Sequence, residues 1–275
     1  MKDDNVVNIF KPISFLNLLE TDINNLYTFS SETSSDLDKS IHEIRKSLKS
    51  ISAILSIYKV HFERTQYSSW VAYIKDISKL YASLRDPYIY RKTYYKFEKQ
   101  LNKKSFALSF ELKNHLELRY TLTVKELINK KDILIQGNSS IINMIDTFNK
   151  TYIYSDIKSL NNSVLNTFKK SKRLYKKLSL SSSSEDFHKF RTCCKDYYLQ
   201  QSVLILNELR NPSNHIKSLY KLTEYLGQEH DLQLFRDYLK IHFPELSKLS
   251  NPFIKLKIKG LRIKILNLYP NIKYK

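Results

Sequence analysis

Three glycines, Gly137, Gly227 and Gly260, serve all 275 residues of the chain. A β-rich chain of this length needs many turn positions that favour glycine, so the scarcity points to an almost wholly α-helical fold. It also removes whole classes of chemistry, because neither a Walker loop nor a dinucleotide-binding loop can be built from isolated glycines. A hydrophobic content of 42% and an aromatic content of 13% supply a core large enough to fold, as one large or two ordinary domains.

Apolar spacing places the helices. Residues 1–12 read as a lead-in ending at Pro12, followed by a helix to about Phe29 carrying Phe15, Leu16, Leu19, Ile23 and Leu26. Asp36 or Asp38 is positioned to cap the next helix, which is expected to run to about Arg64. A helix from about Ser69 to Arg85 should stop before Pro87. Helical segments near 89–103 and 106–135 follow, and Gly137-Asn138-Ser139-Ser140 reads as the internal boundary. Beyond it come helices near 139–149 and 155–179, one bearing His188, one opened by Pro212, and a last one from about Pro252 to Leu268.

Two of these helices carry the same polar face. At about 100° per residue, His42, Arg45, Lys46 and Lys49 share an arc of roughly 100°, opposite Ile41, Ile44, Leu48, Ile51, Ile54, Leu55 and Tyr58. His188, Arg191 and Lys195 return the pattern opposite Phe187, Phe190, Cys194 and Tyr197, each 146 positions after its counterpart. Asp86 lies 44 residues past His42, and Asp231 lies 43 past His188. The chain therefore reads as two copies of a long-helix bundle, about 13–136 and 137–268, joined near Gly137.

The net charge of +19 implies a polyanionic partner: nucleic acid, an anionic membrane surface or chains of inorganic phosphate. Guanidinium forks match phosphate oxygens, lysine adds a mobile charge, and a histidine donates one more hydrogen bond. The alternative, an ordinary solvated stripe, usually mixes signs, whereas both faces are concentrated in cations. Lys169, Lys172, Arg173 and Lys176 share a helix side and can extend the same track or simply snorkel into solvent. Asp86 and Asp231, one carboxylate per copy, fit structural capping or pairing better than catalysis.

Catalytic chemistry has little to rest on. No nucleophile elbow, helical His-Glu-x-x-His pair or clustered carboxylate set is present, so neither a metal nor a cofactor is expected. His61, His115, His215 and His242 stand singly and read as surface or boundary residues. The twenty tyrosines and fourteen phenylalanines could stack bases, but in a helical bundle most belong to the core. Adjacent Cys193 and Cys194 point about 100° apart on a helix and cannot bridge, so reduced thiols are expected. No run of about 18 apolar residues is present, and the acidic start, Met1-Lys2-Asp3-Asp4, lacks a signal-peptide core; a cytoplasmic protein is expected.

The ordered motifs carry a resemblance. Ile41-His42-Glu43-Ile44-Arg45-Lys46-Ser47-Leu48-Lys49 resembles the first signature of the CHAD family, the conserved histidine α-helical domains. Leu84-Arg85-Asp86 is similar to its Arg-Asp element, and Phe168 to Leu174 to its basic helix. His188-Lys189-Phe190-Arg191 with Lys195-Asp196-Tyr197-Tyr198 resembles the second signature, and Leu226-Gly227 with Asp231-Leu232 the closing element. Together these span about 13–268. The resemblance implies two pseudo-symmetric four-helix bundles around a basic groove or channel. It also implies binding of inorganic polyphosphate, with association with polyphosphate granules in some members. The implied phosphate contacts are His42, Arg45, Lys46, Lys49, His188, Arg191 and Lys195, supported by Lys169, Lys172, Arg173 and Lys176. Ser50, Ser52 and Thr192 stand where the family commonly has cations, which implies a less charged channel. Some members carry a triphosphate-processing barrel; its Glu-x-Glu-x-Lys strand is not found here. Nucleic acid remains a weaker competing ligand, and phosphoanhydride chemistry a more distant alternative.

Overall fold

A computed structural model describes residues 12–31, 37–81, 85–102, 110–129 and 131–274. Among these residues it contains ten α-helices and one two-residue antiparallel bridge. The first bundle is built from α1 (Phe15–Ser31), α2 (Leu37–Ile57), α3 (Arg64–Leu80) and α6 (Lys131–Asn149). Helix α2 packs on α1 and α3, and α6 closes the bundle against the same two neighbours. The second bundle is built from α7 (Ile157–Tyr175), α8 (Ser184–Leu206), α9 (Asn214–His242) and α10 (Pro244–Leu268), with α8 packed on α7 and α9 and α10 on α9. The expected all-α pair of four-helix bundles is what the chain forms.

The joint between the bundles reflects the repeat. Strand β1 (Ile13–Ser14) precedes α1 and β2 (Tyr154–Ser155) precedes α7, and the two pair antiparallel, as a pseudo-twofold relation requires. Helices α2 and α8, the carriers of the repeated basic face, pack directly on one another. One apolar core runs through both bundles, taking Phe15, Ile44, Leu48 and Ile51 from the first and Phe187, Phe190, Leu222, Leu226 and Ile265 from the second.

Helices α4 (Arg85–Asn102) and α5 (Phe110–Asn129) depart from this symmetry. They pack against each other, and Tyr94, Phe97, Leu112 and Leu116 bury themselves against Phe235, Leu239, Ile254 and Ile258 of α9 and α10. A segment from the first half of the sequence thus completes a second core on the other bundle.

Several expected boundaries move. Helix α2 ends at Ile57 and not near Arg64, because the Tyr58 hydroxyl donates to the Ile13 carbonyl at 2.9 Å and Phe62 turns inward against Phe15. Helix α3 starts five residues before Ser69, at Arg64. Pro87 falls in the first turn of α4, where its missing N–H costs nothing. The last helix begins at Pro244 and passes through exposed Pro252, where the freed carbonyl one turn back can reach water. Asp36 lies outside the described residues, and α2 already includes Asp38.

The break expected at Gly137 is also corrected. Gly137 lies inside α6, which packs on α1 and α3, so the first bundle extends past 136 to Asn149. A β-carbon there would sit 2.6 Å from the buried Tyr81 hydroxyl, which donates to Asn138 Oδ1 at 2.9 Å. The Asn138 amide in turn donates to the Ser30 carbonyl at 2.6 Å. The glycine is there for close packing, not for a linker. Gly137→Ala should therefore destabilise the protein by about 1–3 kcal/mol despite the better helix propensity of alanine. Gly227→Ala and Gly260→Ala, which meet nothing within 4 Å, should stabilise it by about 0.5–1 kcal/mol. Urea unfolding of the three variants checks this, and a common sign for all three would refute the packing argument.

Candidate anion-binding site

Helix α2 buries Ile41, Ile44, Leu48, Ile51, Ile54 and Leu55, which leaves His42 and Lys46 exposed and Arg45 and Lys49 half-buried at its margin. Helix α8 is started by Ser183, whose hydroxyl accepts from the Asp186 amide at 3.1 Å. It buries Phe187, Phe190, Cys194 and Tyr197, and so holds His188, Arg191 and Lys195 half-buried on another side. Asp156 caps α7 by accepting from the Ser159 amide at 2.8 Å. Lys169, Lys172, Arg173 and Lys176 are exposed, the last three at the C-terminal end of the helix where cations complement its dipole.

The structure packs α2 against α8. Gln200 of α8 donates to Ser56 Oγ of α2 at 2.6 Å, and Lys49 lies close enough to Asp196 of α8 to act on its ionisation. Lys49 and Asp196 therefore meet where α2 packs on α8. Lys170, beside Asp196 from α7, adds a cation that the sequence reading did not select.

Not every expected contact points outward alone. Arg45 Nη1 donates to the Ser78 carbonyl at 2.8 Å, so this guanidinium also ties α2 to the last turn of α3. Lys46 Nζ lies 3.1 Å from Glu43 Oε2 on an exposed surface, a pairing of little energetic weight. Asp86 is exposed in the first turn of α4, and Asp231 is half-buried within α9.

Two carboxylates belong to this surface that motif reading missed. Burial pushes the Asp196 carboxyl up to about 6, opposed by Lys170 and Lys49. Burial likewise pushes Asp22 of α1 up to about 6, opposed by hydrogen bonds from Ser50 and Ser47 and by the charge of Lys46. Ser50, where a cation was expected, thus serves a buried acid. Only the packing of α1 on α2 reveals Asp22; Asp196 was visible in the signature but its surroundings were not.

These shifts have a sign. A carboxyl whose native pKa lies above its unfolded value favours folding below that value, and the benefit is lost as pH rises through about 6. Asp196→Asn should raise stability by about 2 kcal/mol at pH 7.5 and leave it unchanged near pH 4. It should also tighten polyanion binding at pH 7.5, by removing a negative charge beside Lys49 and Lys170. Thermal melts at the two pH values decide; an equal change at both would mean that the carboxyl's charge is not the cause.

Burial raises the Cys193 thiol to about 11 and Cys194 well above its ordinary value, and both are unbridged. Among the described residues no three His, Cys, Asp or Glu side chains are grouped to hold a metal ion, and no helix is long and apolar enough to cross a membrane. His61 accepts or donates at 2.8 Å to Ser155 and 3.2 Å to Ser159, a contact across the joint that its isolated position in sequence did not suggest.

The CHAD domain family model matches residues 19–240. The chain belongs to the CHAD domain family. The fold of this CHAD protein is similar to that of PptA from Streptomyces chartreusis, with a TM-score of 0.73 over 94% of this chain and 100% of that one. The two sequences are 10% identical, so this likeness speaks for the fold alone. No curated protein matches the chain by sequence.

Proposed function

We propose that this CHAD domain binds inorganic polyphosphate without transforming it, along a basic track formed by His42, Arg45, Lys46 and Lys49 of α2 and His188, Arg191 and Lys195 of α8, extended by Lys169, Lys172, Arg173 and Lys176 of α7. The observation that supports the reading is the direct packing of α2 on α8, the two helices whose sequences carry the repeated cations. A linear polyanion matches such a track because each successive phosphate meets another cation, and guanidinium groups fix its position through paired hydrogen bonds. Asp22 and Asp196 oppose binding at neutral pH, and they set how much net positive charge the track offers. Association with polyphosphate granules is the cellular consequence of this reading.

The test is competition. Labelled long-chain polyphosphate is displaced by unlabelled polyphosphate, single-stranded RNA, duplex DNA or ATP across a salt series. Polyphosphate should compete best and persist near physiological salt, with affinity falling as salt rises through counterion release. Equal displacement by every polyanion would reduce the +19 charge to a diffuse attraction and overturn the reading. Release of phosphate during the assay would overturn its non-catalytic part.

A further inference from the structure

A cavity of about 300 Å³ lies where α8 ends, and none of the proposed track residues lines it. Its walls are largely apolar, from Tyr197 and Ile205 of α8, Ile216 and Leu219 of α9, and Ile272 near the C-terminus. Its charged groups have one sign. Arg210, His215 and Lys273 line it, and among the described residues no Asp or Glu does.

The way α8 ends delivers Arg210 to this place. The Leu209 amide donates to the Leu204 carbonyl at 2.9 Å, and Glu208 takes the left-handed backbone with φ 57°, uncommon for a residue other than glycine. The chain thereby doubles back, and Arg210 Nη1 donates to Gln201 Oε1 of α8 at 2.6 Å. Its Nη2 donates to Asn161 Oδ1 of α7 and to the Tyr274 hydroxyl at 3.3 Å. All three acceptors are neutral. The guanidinium is half-buried and fixed from three sides, yet among the described residues no carboxylate pairs with it. Of its five N–H groups these bonds engage three.

We infer that this cavity binds a small amphipathic carboxylic acid, whose carboxylate meets Arg210 and whose hydrocarbon body fills the apolar space. The inference is independent of the polyphosphate reading and adds a second class of ligand. A phosphate chain fits the cavity badly, because apolar walls would strip water from its oxygens and return no hydrogen bonds. A neutral hydrocarbon would leave the arginine's charge unmet in a partly desolvated place. A carboxylate on an apolar body answers both conditions through a charge-assisted bond and buried hydrocarbon surface. At about 30 Å³ per water-sized group the cavity holds about ten non-hydrogen atoms, the size of octanoate.

The experiment is calorimetric titration of the full chain with octanoate, octanamide and tripolyphosphate, repeated on Arg210→Gln and Ser213→Phe. Ser213 lines the cavity and its side chain makes no capping bond to α9, so phenylalanine fills the space without removing one. Arg210→Gln also loosens the bond to Asn161, so its folding is checked by thermal melting, and Ser213→Phe decides alone if that variant unfolds. Octanoate should bind at one site per chain, about tenfold tighter than octanamide, and each substitution should weaken it by about tenfold. Polyphosphate binding should be the same in Ser213→Phe as in wild type. Equal affinity for octanoate and octanamide, octanoate binding unchanged in both variants, or no saturable octanoate binding would each overturn the inference and leave the polyphosphate reading standing. Displacement of octanoate by an equal concentration of tripolyphosphate would also overturn it, by making the cavity part of the polyanion surface. Octanoate binding without any polyphosphate binding would overturn only the earlier reading.

Discussion

Replacing Arg262 by methionine should cost the fold about 3–5 kcal/mol. Arg262 is 7% exposed and its partner Glu229 2%, and the Nε and Nη2 groups donate to one carboxylate oxygen at 2.9 and 2.8 Å. Its Nη1 donates to the Leu180 and Ser182 carbonyls at 3.1 and 2.7 Å, so the side chain also secures the serine-rich turn before α8. Methionine would fill part of the volume and leave Glu229 buried with only a long, 3.4 Å contact from Gln233. An uncompensated buried charge is the expensive state, whereas two matched apolar or neutral groups are not. Glu229→Gln combined with Arg262→Met should accordingly recover much of the loss. Urea unfolding of both single variants and the double variant measures the coupling. A loss below about 1 kcal/mol for the single change would show that water reaches the pair.

Removing two cations from α8 should have the largest effect on binding. Arg191→Gln with Lys195→Gln is expected to weaken polyphosphate binding by about 100-fold at low salt, since each charge-assisted contact contributes about 1.5–3 kcal/mol before solvent screening. The salt dependence should become shallower by about two released counterions. Helicity should not change, because both side chains lie outside the buried face of Phe187, Phe190, Cys194 and Tyr197. The corresponding change at Arg45 is less clean: it also removes the 2.8 Å bond to the Ser78 carbonyl, worth about 1 kcal/mol to the α2–α3 contact. Fluorescence titration and circular dichroism on the same samples separate the effects. Unchanged affinity in the α8 double variant would move the binding surface elsewhere.

The helical class was legible because glycine scarcity and apolar spacing act through local backbone geometry. The two basic faces were legible because helical periodicity alone decides which side chains share a side. Both properties survive whatever the helix packs on. Helix ends were less legible: Gly137 and Pro252 are ordinary breakers, yet Tyr81 packing and an exposed helix side accommodate them inside helices. Asp22, Glu229 and Arg262 were not legible, because their partners are distant in the chain.

By itself, then, the sequence determined an all-α chain, a doubled pattern with a 146-residue offset, and which cations lie together on each helix. The tertiary structure decided that α2 lies against α8, that α4 and α5 complete a core on the opposite bundle, and that Arg210 reaches Asn161 of α7. The physical reason is range: periodicity and propensity act within a few turns, whereas burial, close packing and the pairing of buried charges depend on which surfaces exclude water together.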